Sequence, residues 1–384
     1  MFIKKIFKLF IVFLICIITI EVFSFTVTKL RILPYYALNK PTYEFLKDNF
    51  FIKTKTGNWH KKNYKIKDGQ KCFDVIYETN DVGARDNKNY QNIANNNNNI
   101  LLIGDSFAEG YTLNIKDTFH INFEKKIDKK ILNFGVSNSG PLNYFLMIDN
   151  INKNYKYSEL IYFFNPGNDF IDNNENFKFF QSDKNYQIYY KNKSFEHYSN
   201  INFNDYIIQQ SKIDLFSIIK SFLKSYTYTS NLLLTFKFQF LNYKQNKKIK
   251  KKLSQHHNEL QSKITISSGY NVTDDDIYDG AIFYLDKFFE KIPINIKKTI
   301  VIIPNQKDLA DLYNNKKLFD NNNWYEDLLI ISKKYNINVI DYLNYFIANK
   351  AITSLNYKNL FHDCDIHYNK KGMKIFTEYV YELY

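Results

Sequence analysis

Ile100-Leu101-Leu102-Ile103-Gly104-Asp105-Ser106-Phe107 is four apolar residues followed by an abrupt break, and the asparagine tract Asn95 to Asn99 stands ahead of it. A short apolar run bounded in this way reads as a buried strand. Gly104-Asp105-Ser106 then falls at the strand's carboxyl end, where open α/β sheets bind their ligands. A serine at that place can open the next helix, its hydroxyl exposed and backbone N–H groups free beside it. Alone, Gly-Asp-Ser reads equally well as a turn with a helix cap. What stands at the later strand ends decides between the two.

Working outward, residues 130–134 read as a second strand that ends at Gly135, and residues 160–164 as a third that ends at Asn165-Pro166-Gly167-Asn168-Asp169. Residues 299–303 and 337–341 read as the fourth and fifth. Between them, residues 118–129, 141–150 and 324–335 are helical in pattern, with Pro141 at a first-turn position. Apolar strands alternating with helices argue for an α/β fold, a parallel sheet with helices on both faces. Residues 170–296 break the rhythm and read as a large, mainly helical insertion, with helices at 213–223 and 276–292. It is too long for a structureless loop. Because it departs from Asn168-Asp169, it is expected beside the carboxyl ends of the strands, shaping the acceptor side of any site there. Upstream, residues 73–79 are strand-like, Asn80 to Arg85 reads as a turn, and residues 29–69 as a connector with short helical pieces. Three segments follow: an anchor over 1–29, a connector and extension over 30–97, and a main domain over 98–384.

The anchor is read from Lys4, Lys5 and Lys8 ahead of an apolar run to Lys29, interrupted by Glu21. About 20 apolar residues span a bilayer as a helix. Positive charge on the amino side keeps that end cytoplasmic and places the rest outside the cytoplasm. No small-residue cleavage site follows, so an uncleaved single-pass anchor is expected. Glu21 is tolerable near the far interface, where it reaches headgroups or water.

Composition narrows the function classes. Hydrophobic residues make up 45% of the 384, enough for a sizeable core. The net charge of +13 would suit nucleic acid or an anionic surface. The lysines are scattered, however, and no nucleic-acid motif is present, so a solvated basic surface and no nucleic-acid partner are expected. The dense run Lys247 to Lys252 reads as an exposed face. Cys72 and Cys364 could pair in an oxidising compartment, but two unpaired buried thiols are the expectation. No metal-ligand spacing occurs among the histidines; His256-His257 points to solvent. Nothing in the sequence sets the oligomeric state.

Acyl transfer from an ester needs a nucleophile, a base, a group that orients the base, and donors for the oxyanion. Ser106 can be the nucleophile, His367 the base and Asp365 its orienting carboxylate. Asp365-Ile366-His367 puts both side chains on one side of an extended backbone. The N–H groups of Ser106 and Gly135 and the Asn168 amide can point at one oxygen. Blander readings stand beside these: Gly135 as a helix-packing glycine, Asn168 as a turn residue, Asp365 as a cap of the last helix. Asp105 is read as an anchor of the loop after the strand, Arg85 as an ion-pair partner and Trp324 as core.

These blocks, in this order, resemble the SGNH (GDSL-type) hydrolase superfamily, membrane-anchored bacterial envelope type. Gly167 directly abuts Asn168-Asp169, which departs from the usual spacing of the third block. Asp-x-His replaces the commoner Asp-x-x-His, since position 364, where that form has its Asp, is Cys364; Asp363 is a fallback partner. It is similar to the variant in SGNH proteins that act on cell-surface polysaccharides. The resemblance implies a three-layer, flavodoxin-like sheet and a serine esterase without cofactor or metal. Its implied substrate is an acylated carbohydrate, with O-acetyl the acyl group expected, or another ester, in the cell envelope. Alternatives are a polysaccharide O-acetyltransferase with the same triad, and a catalytically silent carbohydrate-binding protein.

Overall fold

The computed structural model describes residues 2–30, 32, 50–69, 72–175, 186–191, 194–205, 269–272, 275–315, 323–348, 355–363 and 365–384, with single positions and short pieces between 223 and 240. The chain divides into two compact units. Phe50–Lys65, Tyr77–Ser211 and Thr265–Tyr384 form the larger; Met1–Asn49, Ile66–Ile76 and Lys212–Ile264 form the smaller. Most of the extension thus belongs with the main domain, and part of the insertion belongs with the N-terminal helix.

The larger unit is built on five parallel strands: β1 (Ile100–Ile103), β2 (Ile131–Asn133), β3 (Glu159–Phe164), β4 (Lys297–Ile302) and β5 (Ile337–Asp341), in the order β5-β4-β3-β1-β2. Leu101 lies opposite Leu132 on one side and Leu160 on the other. Ile300 lies opposite Tyr162 and Val339. Every residue of β1, β2 and β3 is buried, as continuous apolar runs require when helices cover both faces. Among the described residues the α-helices with defined bounds are, in chain order, α1 (Phe2–Lys29), α2 (Ser106–Glu109), α3 (Phe119–Glu124), α4 (Pro141–Asn154), α5 (Pro166–Asp169), α6 (Asp275–Glu290), α7 (Gln306–Asn315), α8 (Asn323–Tyr335), α9 (Leu343–Ala348) and α10 (Lys370–Leu383). Helix α6 packs on α4 and α8, while α10 packs on α3. Trp324 is fully buried in the core, as its sequence reading expects.

Two expectations need correction here. Residues 51–60 are not helical: Phe51–Thr54 pairs antiparallel with Gly57–His60. Aromatic and β-branched residues flank a tight turn there, a local preference for pairing. The helix expected over 118–129 ends at Glu124, ahead of Lys125, Lys126, Lys129 and Lys130, whose like charges do not favour a further turn. In the insertion, Ile188–Tyr190 pairs with His197–Ser199 as a hairpin. Leu142, Tyr186, Ile188, Tyr190 and Tyr284 form a small second core. The helix expected at 213–223 falls outside the described residues except for its last position. The Lys247 to Lys252 run, His256 and His257 also lie outside them.

In the smaller unit, α1 is long and apolar enough to cross a membrane or to serve as a signal sequence. Glu21 does not turn to water. Its carboxylate accepts the N–H groups of Tyr228 (2.6 Å) and Thr229 (2.9 Å) and the Thr229 hydroxyl (2.6 Å). Partners within the protein remove the cost of an unsatisfied charge on an apolar helix. Cys72 is disulfide-bonded and Cys16 is free. The expectation of an unpaired thiol at Cys72 fails because pairing depends on spatial proximity, which spacing does not report. Cys364 lies outside the described residues.

Candidate active site

Beyond β1, Asp105 caps the four-residue helix α2: its carboxylate accepts the Phe107 N–H at 2.9 Å. Ser106 is therefore the first helical residue. The residue is buried, 6% exposed, and its backbone N–H has no hydrogen-bond partner among the described residues. Gly110 closes the helix with φ of 75°, a left-handed conformation suited to glycine.

His367 and Asp365 lie on a strand, Asp365–Tyr368, paired antiparallel with Phe361–His362. Strand alternation sets Asp365 and His367 on one face. His367 Nε2 stands 2.6 Å from Ser106 Oγ, and its Nδ1 is hydrogen-bonded to Asp365 Oδ1. The same carboxylate oxygen accepts the His367 backbone N–H at 3.0 Å. The imidazole sits against Phe107 and Tyr111, at ring-centroid distances of 4.8 and 5.2 Å. Burial alone would raise the Asp365 carboxyl, but the ring and backbone hydrogen bonds of His367 outweigh it and hold it below its ordinary value. Asp365 does not cap the last helix. Asn369 does, accepting the Gly372 N–H at 3.0 Å.

Asn168 lies in α5, beyond β3. Its amide donates to Asp105 Oδ2 at 2.9 Å, which leaves one amide hydrogen uncommitted. Asp105 thus holds the nucleophile helix and Asn168 together, a more specific task than its reading as a loop anchor. Burial raises the Asp105 carboxyl, with the Phe107 and Asn168 donors offsetting only part. Burial also raises Asp169 well above its ordinary value and Asp172 to about 8, and the charge of Asp105 adds to both. These acids lie close in a dry region, and full ionisation of all three is costly.

Gly135, expected as an oxyanion donor, lies against α2. Its N–H donates to Asn133 Oδ1 at 2.9 Å, and Asn133 Nδ2 donates to Ala108 O at 3.1 Å. A Cβ at Gly135 would stand 2.3 Å from the Glu109 nitrogen and 2.6 Å from the Ala108 carbonyl carbon. The glycine lets its loop lie directly on α2. Arg85 departs from an ion pair. Its guanidinium donates to the Gly110 and Leu113 carbonyls and stacks 3.7 Å from the Tyr77 ring centroid. Its partners are carbonyls because the end of α2 leaves them unsatisfied.

Sequence reasoning passed over Glu109, three residues after Ser106. It is fully buried and meets His60, Tyr77 and Ser137. The available signal was an acidic residue inside an otherwise buried four-residue helix. The insertion returns to the site side at Gly269–Asn271, where a Cβ on Gly269 would stand 2.3 Å from the Gly167 nitrogen.

Neither a protein-family model nor a curated protein matches the chain. Among solved structures, it is similar to one described as a G-D-S-L family lipolytic protein from Desulfitobacterium hafniense. That match has 12% identity and a TM-score of 0.30, and covers 75% of this chain and 100% of the other. It is also similar to a member of the lipolytic G-D-S-L family from Veillonella parvula, at 14% identity and a TM-score of 0.31 over 74% of this chain and 97% of the other. At such values the fold rests on the chain's own geometry. The strands are ordered 2-1-3-4-5, three of the blocks stand at the ends of β1, β2 and β3, and Asp365 and His367, on the strand Asp365–Tyr368, form one hydrogen-bonded line with Ser106.

Proposed function

We propose that this protein is a membrane-anchored serine esterase that removes acyl groups, O-acetyl above all, from carbohydrate outside the cytoplasm. The observation that carries the reading is the 2.6 Å contact of Ser106 Oγ with His367 Nε2, the other ring nitrogen being held by Asp365. In this reading Ser106 Oγ attacks the ester carbonyl carbon while His367 takes its proton. The tetrahedral oxygen accepts the Ser106 N–H and the uncommitted hydrogen of the Asn168 amide. Gly135, whose N–H is engaged by Asn133, brings the two loops together. The leaving sugar oxygen takes the proton from His367 as the C–O bond breaks. Water, deprotonated by the same imidazole, then releases the acid from the acyl-serine.

The disulfide at Cys72 favours an oxidising compartment, and the lysines ahead of α1 favour a cytoplasmic N-terminus. The carbohydrate assignment rests on the Asp365-x-His367 spacing. An open cavity of about 460 Å³ whose lining includes Tyr186, Tyr198, Phe203, Lys55, Asn202 and Asn204 has aromatic faces and hydrogen-bonding groups of the kind sugars use. The test is release of acetate from acetylated oligosaccharides by the full chain, with and without an unacetylated sugar acceptor, beside Ser106→Ala. Release in water that Ser106→Ala abolishes supports the esterase. Transfer to the acceptor without release points to the transferase with the same triad. Inactivity of the wild type toward every ester, with retained sugar binding, leaves a binding protein.

A further inference from the structure

We propose that Glu109, held by His60 and Tyr77 of the N-terminal extension, is a positioning residue that fixes both the Ser106 helix and the Gly135 loop; this rests on Ser106 being the nucleophile. Helix α2 has four residues, and its turn is closed by Glu109 N–H to Asp105 O and Gly110 N–H to Ser106 O, each at 3.0 Å. A helix this short does not hold itself, because nucleation fixes several residues for little return. Its position must come from contacts outside it.

Glu109 supplies them. One carboxylate oxygen accepts the Ser137 N–H and hydroxyl, both at 2.5 Å, which ties α2 to the loop that carries Gly135. The other accepts the Tyr77 hydroxyl and stands 3.2 Å from His60 Nε2. His60 Nδ1 lies 3.0 Å from the Gly83 carbonyl. Both ring nitrogens thus face oxygen atoms, Nδ1 the Gly83 carbonyl and Nε2 the Glu109 carboxylate. The extension grips the same loop a second time: Asn58 Nδ2 donates to the Ser137 and Asn138 carbonyls at 3.1 and 3.0 Å. The region read from sequence as a connector therefore sets where the serine sits. None of Glu109, His60 or Tyr77 is a catalytic residue; each acts through Ser106.

The experiment uses the full chain in detergent micelles, with a fluorophosphonate as probe of Ser106 and p-nitrophenyl acetate as substrate. Tyr77→Phe removes one hydroxyl, His60→Gln removes the ring, and Glu78→Gln, at a pair with Lys65 outside the network, is the control. Well below each melting temperature, His60→Gln is expected to slow labelling and lower kcat at least about tenfold, and Tyr77→Phe about threefold, as a displaced nucleophile does. KM is expected within about twofold of wild type in both, a split that general destabilisation does not give. Labelling and kcat of wild-type size in folded His60→Gln and Tyr77→Phe overturn the proposal, as does a rise in KM at unchanged kcat. If His60→Gln does not fold, Tyr77→Phe decides by the same criteria. Wild-type protein that fails to label at Ser106 overturns the triad reading and this inference together. Wild-type labelling that neither variant changes removes this inference alone.

Discussion

Adding a single methyl group as Gly135→Ala is expected to damage the site without removing any hydrogen-bonding group. Gly135 has no positive φ, so alanine meets no backbone strain and the effect is steric. Its Cβ would lie 2.3 Å from the Glu109 nitrogen, 2.6 Å from the Ala108 carbonyl carbon and 2.7 Å from the Ala108 Cβ. Ordinary contact begins near 3.5 Å, so α2 and the loop must part by about 1 Å. Neither yields easily. Phe134 N–H donates to Leu102 O at 2.8 Å and Val136 N–H to Gly104 O at 3.0 Å, which fastens the loop along β1. Overpacking of this kind costs about 1–3 kcal/mol. A shift of about 1 Å at Ser106 also breaks its 2.6 Å contact with His367, and misplacement on that scale costs about a hundredfold in rate. Urea unfolding gives the stability, and the second-order rate of fluorophosphonate labelling gives the site geometry. A folded Gly135→Ala that labels within threefold of wild type, with unchanged stability, would refute the close-approach argument.

Ser106→Ala and His367→Ala are each expected to cost as much activity as the double variant, and Asp365→Ala somewhat less, because the members act as one unit; initial rates on p-nitrophenyl acetate check this, and additive losses would separate the residues. Asn168→Ala is expected to lower kcat about 10²- to 10³-fold with KM little changed, the loss of one oxyanion donor; steady-state kinetics read it, and a pure KM effect would count against the assignment. Stability is expected to depend on pH in two opposite directions. Glu109 is fully buried, yet the His60 charge and its hydrogen bonds outweigh that burial and take it from 4.5 down to about 2. It therefore stabilises the fold above about pH 4.5, and about 3 kcal/mol is lost as pH falls toward 2. Asp172 is raised to about 8 by burial and Asp105, so the folded state keeps a proton that the unfolded chain releases, and this contribution is lost as pH rises from about 4 through 8. Urea midpoints across pH 2–9 test both: Glu109→Gln should flatten the acid limb and Asp172→Asn the alkaline one, and unchanged limbs would contradict the two assignments.

The sequence determined the sheet. Five apolar runs separated by helical patterns can be buried on both faces only in a parallel, helix-covered sheet, and all five strands lie where those runs are. It also determined which residues stand at the ends of β1, β2 and β3, because Gly-Asp-Ser, Asn-Phe-Gly and Asn-Pro-Gly-Asn-Asp are breaks in local pattern. Asp365 and His367 share a face because strand alternation is local. The hairpin at residues 51–60 was hidden because its pairing depends on a single turn among mixed aromatic and basic residues. Tertiary structure alone decided what the strand-end residues do to one another. Gly135 could be a donor or a packing glycine until Asn133 and the backbone of α2 came within reach of it. Arg85 found carbonyls instead of carboxylates, and Glu21 found Tyr228 and Thr229 instead of water. Glu109, His60 and Tyr77 meet across 49 positions of sequence at most. No periodicity encodes such a meeting, since hydrogen-bond partners so far apart are chosen by packing and not by spacing.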